Sequence, residues 1–216
     1  MGKFFSIDSP VMRSLSFLGD MMLLNVIFIV CSIPVVTIGA SASALYTVAL
    51  SMAADNDRRP VREFFKAFRG NFLKATAEWM ILLVLAAVEY AGVMVIRSGV
   101  TVFPFFIRSV YILVAVVIWL TASWVFAIQA KFENTVFGTL KNAVILGILH
   151  PVRSVAVMAL TALIPALFLF YTYVFLVTSF IWFVFGFSGI AIINSIIFNK
   201  VFDRIIRQND NQSVRS

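Results

Sequence analysis

The sequence predicts an all-α fold: a polytopic transmembrane helical bundle of six spans, or five, with both chain ends on the cytoplasmic side. Three observations predict it. Long stretches carry no charge, helix breakers interrupt one of the longest, and basic residues gather on one side of the resulting spans. Hydrophobic residues fill 62% of the 216 positions and charged residues only 12%, with a mean hydropathy of +1.00. A soluble domain is about 45–50% apolar and about 25% charged.

Residues 21–54, 109–130 and 154–199 contain no Asp, Glu, Lys, Arg or His, and residues 79–96 contain only Glu89. A helix needs about 20 such residues to cross about 30 Å of hydrocarbon. The first span is read over 10–33, with Pro10 opening the helix after Ser9. Pro34 lacks an N–H and Gly39 tolerates unusual backbone angles, so the chain turns through Pro34, Thr37 and Gly39 into a short second span, 40–54. The alternative is one kinked helix through this region, which reduces the count to five. Ala40 and Ala44 flank alternating Ser and Ala, and such small side chains let another helix approach closely. The third and fourth spans are read over 79–96 and 109–130. The 46 residues of 154–199 would make about 69 Å of helix, so the chain folds back near Tyr171-Thr172-Tyr173 into spans 154–172 and 175–198.

Charge orients these spans. With both ends inside, fifteen of the 17 Lys and Arg residues lie on the inner side, and only Arg97 and Arg108 lie outside. This is a positive-inside pattern, and it accounts for the net charge of +7 without nucleic acid. The N-terminal MGKFFSIDSP lacks the apolar core and cleavage site of a signal peptide. Cys31 stands alone, so no disulfide framework is expected.

Residues 58–76 form a predicted amphipathic segment on the inner side. Val61, Phe64, Phe65, Phe68 and Phe72 recur at helical offsets, while Arg62, Lys66 and Arg69 occupy another face. Two readings fit: a helix resting in the lipid interface, or one docking Phe64, Phe65, Phe68 and Phe72 into a partner with its cations on the rim. Within the spans, Asp20, Asn25, Glu89, Gln129 and Asn194 need partners or water, because ionisable groups near the bilayer centre cost several kcal/mol.

Enzyme signatures fail. One His and one Cys cannot build the common zinc sites, and no phosphate-binding Gly-Lys-Ser/Thr loop occurs. Gly186-Phe187-Ser188-Gly189 is similar to the serine motif of rhomboid proteases, but His150 precedes it, where those enzymes place histidine on a later span. Gly138, Ile148 and Pro151 match only the tail of the coupling signature of ABC importer permeases, and its acidic-alanine head is missing. No catalytic residue, cofactor or metal site is expected.

Three landmarks, SIPVVTIGA at 32–40, FFKAFRGNF at 64–72 and NSIIFNKVFDRI at 194–205, follow LGDMMLLN at 18–25. In order and spacing they resemble the YesL family of integral-membrane proteins of Firmicute bacteria. Such proteins are typically encoded beside sugar ABC importers, glycoside hydrolases and two-component regulators. The resemblance implies residence in the bacterial plasma membrane and an accessory role in carbohydrate uptake or its sensing. The expected partners are the lipid bilayer and the permease or ATPase subunits of an ABC importer. Rival readings are a stand-alone sugar or small-molecule transporter, lined by Glu89, Asp20 and the helix break, and a sensor that partners a two-component kinase.

Overall fold

A computed structural model describes residues 10–54, 59–98, 104–170 and 182–213. The helices are α1 (Pro10–Ser32), α2 (Ile38–Ala53), α3 (Pro60–Arg97), α4 (Pro104–Lys131), α5 (Val136–Leu149), α6 (Pro151–Phe170) and α7 (Phe187–Ser213), with a 3-10 turn over Val35–Thr37 and a π turn over Trp182–Gly186. Four of them begin on proline, whose missing N–H would have no intrahelical partner there and whose fixed φ already suits a helix. Among the described residues, five segments are long and apolar enough to cross a membrane, or up to six if the bent pair α5–α6 counts as one. The predicted fold-back near Tyr171–Tyr173 and the start of the 175–198 span lie outside the described residues.

α2 is the central helix. Its Gly39, Ala40, Ser41, Ser43, Ala44 and Leu45 are all buried, and it touches α1, α3, α4 and α7. A Cβ at Gly39 would run into the Ala75 carbonyl and Trp79 of α3, so glycine is what permits the close α2–α3 approach. The break before α2 is closed by side chains. Thr37 Oγ1 donates to the carbonyls of Cys31 at 2.6 Å and Pro34 at 2.8 Å, and Trp79 Nε1 donates to the Val35 carbonyl at 2.8 Å. Carbonyls freed at a helix end within an apolar bundle need such donors, since lipid offers none.

α3 differs from the reading that separated residues 58–76 from a span over 79–96. It is one unbroken 38-residue helix, about 57 Å long at about 1.5 Å per residue. The drop in charge near residue 75 is accompanied by no break in the helix. Gly70 lies in open space, and Phe64, Ala75, Glu78 and Leu82 continue one buried face across the supposed boundary. About half of this length exceeds the roughly 30 Å hydrocarbon layer.

α4 returns beside α3, with Trp79 and Phe126 rings 6.4 Å apart, and α5 packs back on α4 with Gly147 against Leu120. Thr135 caps α5 by accepting from the Gly138 N–H at 3.2 Å. α5 and α6 then meet at 111°. His150, held at φ −122° and ψ 60°, precedes Pro151, which disfavours helical angles in the residue before it. Ser154 staples this corner: its hydroxyl donates to the Gly147 carbonyl at 2.7 Å and accepts from Trp124 Nε1 at 3.0 Å.

The core lies where α2, α4 and α7 converge with the first half of α3. Trp124 stacks edge-on against Phe198 at 4.8 Å, Phe198 lies over Phe202 at 5.8 Å, and Phe132 meets Phe202 at 5.2 Å. Towards Arg97 the bundle thins, and Val84, Val88 and Val95 of α3 and Phe105, Ile112 and Leu113 of α4 are exposed. An apolar belt of this extent suits lipid as its solvent.

Candidate functional site

The first half of α3 carries two faces with separate fates. Phe64 is fully buried, Phe68 packs half-buried against the core, and Phe72 is half-buried. Their rings form a ladder, Phe64 to Phe68 at 6.2 Å and Phe68 to Phe72 at 5.5 Å. Most of the phenylalanine stripe therefore anchors α3 to its own chain. What remains outward is Arg62, Phe65, Lys66, Arg69 and Leu73, with Leu73 82% exposed. These positions step by three or four, so they share one side of the helix. The result is a cationic strip set with two large apolar side chains, on the half of α3 that runs beside α2.

The residues of the helix break do different work. Gly39, Ala40 and Ala44 are all buried inside the chain, so the small-residue positions are covered by this protein's own helices, with α3 against Gly39. Pro34 is exposed, with Ile33, Val35 and Val36 beside it, and Thr37 is half-buried as the closing donor described above.

The polar residues inside the bundle are mostly structural. Asn25, fully buried, reaches the junction of the π turn with α7. Its Nδ2 donates to the carbonyls of Trp182 at 3.2 Å and Phe183 at 2.6 Å, and its Oδ1 accepts from the N–H groups of Phe187 at 2.9 Å and Ser188 at 3.0 Å. One carboxamide thus bridges four backbone groups that the change of helix type would leave unpaired. Asn194 Nδ2 donates to the Tyr46 hydroxyl at 3.3 Å, tying α7 to α2. Asp20 lies half-buried on α1. Ser188 is fully buried and donates to the Phe185 carbonyl at 3.2 Å, while His150 sits against Trp124, their rings 6.4 Å apart. The structure does not bring that serine and histidine together.

One acid was not singled out by pattern. Glu78 of α3 is fully buried, and neither carboxyl oxygen makes a hydrogen bond among the described residues. It lies near Thr139 of α5, whose hydroxyl donates to Gln129 Oε1 of α4 at 3.1 Å. It stands just before an apolar run, and its offset from Phe64, Ala75 and Leu82 puts it on the inward face.

Glu89 lies between two cavities in the α3–α4 groove. One, of about 430 Å³, extends past Ala86 to Trp79, Leu82 and Ile118 and is almost wholly apolar. The other, of about 440 Å³, extends to Arg97, Arg108 and Tyr111. Glu89, Val93 and Ala115 line both, so the two adjoin end to end along the α3–α4 groove. Glu89 Oε1 is buried without a hydrogen bond among the described residues. A Cβ at Gly92 would collide with the Tyr111 ring, which lets the ring lie flat on α3 and floor the polar end. Among the described residues, no three His, Cys, Asp or Glu side chains converge as a metal site would need.

A family model described as "Protein of unknown function, DUF624" matches residues 21–93, from within α1 to the groove-lining Val93 of α3. No curated protein and no solved structure matches the chain.

Proposed function

We propose that this chain is a YesL-family protein of the bacterial plasma membrane. In this reading it is a non-enzymatic accessory subunit that binds a carbohydrate ABC importer and supports its assembly or activity. The observation that carries it is the outward face of the first half of α3, where Arg62, Lys66 and Arg69 flank Phe65 and Leu73. Large apolar side chains rimmed by cations suit a protein surface with an acidic border, because apolar burial supplies affinity and charge supplies orientation. Both chain ends and this strip lie in the cytoplasm in the proposed orientation, within reach of an importer's permease or ATPase subunits. The carbohydrate connection rests on the YesL resemblance, and the DUF624 match over α1 to α3 supports that resemblance. Affinity purification from native membranes tests the proposal: importer subunits are expected to copurify. Repeated purification without them would defeat it.

A transporter reading draws on Glu89, which lines both cavities of the groove. Sugar uptake into liposomes by the purified protein, lost in Glu89→Gln, would favour that reading over the accessory role.

A further inference from the structure

The α3–α4 groove is not used by the docking role, and its chemistry changes along its length. At one end stand Arg97 and Arg108, both exposed, with Tyr111 between the helices. At the other, Leu82, Ala86 and Ile118 offer only hydrocarbon. Ala86 and Tyr90 are exposed on its edge, so the groove opens sideways to whatever surrounds the bundle. From Arg97 to Leu82 is 15 residues of unbroken helix, about 22 Å at about 1.5 Å per residue. Half of a bilayer about 40–45 Å thick, headgroups included, is about 20–22 Å. The groove thus has the length of one leaflet, with cations at headgroup depth and an apolar channel at acyl depth.

We propose that this groove holds one anionic phospholipid, its phosphate between Arg97 and Arg108 and one acyl chain along Ala86, Leu83 and Ile118. Charge complementarity selects this occupant: two guanidinium groups outnumber the single carboxyl of Glu89, so the polar end favours an anion over a zwitterion. Guanidinium also pairs with phosphate oxygens through two parallel hydrogen bonds, which an ammonium group cannot do. The apolar end selects against a free anion, since inorganic phosphate would leave that channel empty.

The test is native mass spectrometry of the full chain released from nanodiscs containing equal phosphatidylglycerol and phosphatidylcholine. The expected result is retention of one phosphatidylglycerol in preference to phosphatidylcholine. Retention should fall at least about tenfold in the double variant Arg97→Gln/Arg108→Gln, where both changed side chains are exposed. It should also fall in Ala86→Trp, which fills the acyl channel while keeping the cations. Equal retention of the two lipids by the unaltered protein would overturn the proposal. So would preference for phosphatidylglycerol that survives both sets of substitutions. Displacement of the bound lipid by millimolar inorganic phosphate would also overturn it, by showing a site for the free anion.

Discussion

The Asn25 carboxamide donates to the Phe183 carbonyl at 2.6 Å while accepting from the Ser188 N–H at 3.0 Å, so one side chain of α1 is spliced into the backbone ladder of another helix. The irregular turn over Trp182–Gly186 can persist in an apolar setting because these groups are paired. Interhelical hydrogen bonds in membrane proteins average about 0.6 kcal/mol each. Asn25→Ala breaks four and should cost about 2–4 kcal/mol, read as a lower unfolding midpoint in detergent. Asn25→Asp keeps the acceptor and loses both donations, so it should also destabilise. An unchanged midpoint in Asn25→Ala would show that the junction holds without the amide.

Two glycines of the same region should respond oppositely. Gly39→Ala drives a methyl group into Ala75 and Trp79, an overpacking expected to cost about 1–3 kcal/mol. Gly70→Ala meets nothing within 4 Å and removes a flexible residue from the middle of α3, which should stabilise by about 0.5–1 kcal/mol. Thermal melts of the two variants in one detergent check both signs.

Among the described residues no hydrogen bond is formed by either Glu78 carboxyl oxygen, and the nearby Thr139 hydroxyl can be met equally by an amide oxygen. Glu78→Gln is therefore expected to stay within about 1 kcal/mol of the native stability. Glu78→Lys places a cation in the same enclosed position and should cost about 3 kcal/mol or more. Folded yield and melting midpoint distinguish the pair, and equal damage in both would mean that the carboxyl has a partner.

The cationic strip can be tested apart from the fold. Arg62, Lys66 and Arg69 are all exposed, so reversing them to Glu should shift stability by no more than about 0.5 kcal/mol for each residue. The same triple variant should lose its copurifying importer subunits. Loss of binding together with unfolding would not support docking, whereas retained binding would place the contact elsewhere.

Orientation has its own assay. In a Cys31→Ala background, Arg62→Cys and Lys66→Cys should react with an impermeant thiol reagent only after cells are opened, as the charge distribution requires. Reaction on intact cells would invert the bundle and remove the strip from the importer's inner side.

Much of the fold was legible because its causes are local. Charge-free length shows which segments suit lipid, and Pro34 with Gly39 marks a break that the structure places between Ser32 and Ile38. The continuity of α3 was hidden because polarity changes along it while the backbone does not. Pattern grouped Phe64 with Phe65 on one stripe, but only the packing shows that Phe64 faces the core while Phe65 is 44% exposed. The groove has no local signature because Arg97 and Arg108, eleven positions apart, line one cavity only after α3 and α4 pair. The insertion of Asn25 depends on a partner more than 150 residues away, and no short-range signal encodes it.

The unbroken course of α3 turns it into a lever. Its tight contact with α2 at Ala75, opposite Gly39, divides it into arms of about 20 Å to Arg62 and about 33 Å to Arg97. With no hinge between them, a sideways pull of 1 Å at Arg62 would swing the Arg97 end by about 1.7 Å the opposite way. Spin labels at the two ends would register that seesaw, so whatever seizes the Arg62 end of the helix also shifts the mouth of the groove at Arg97.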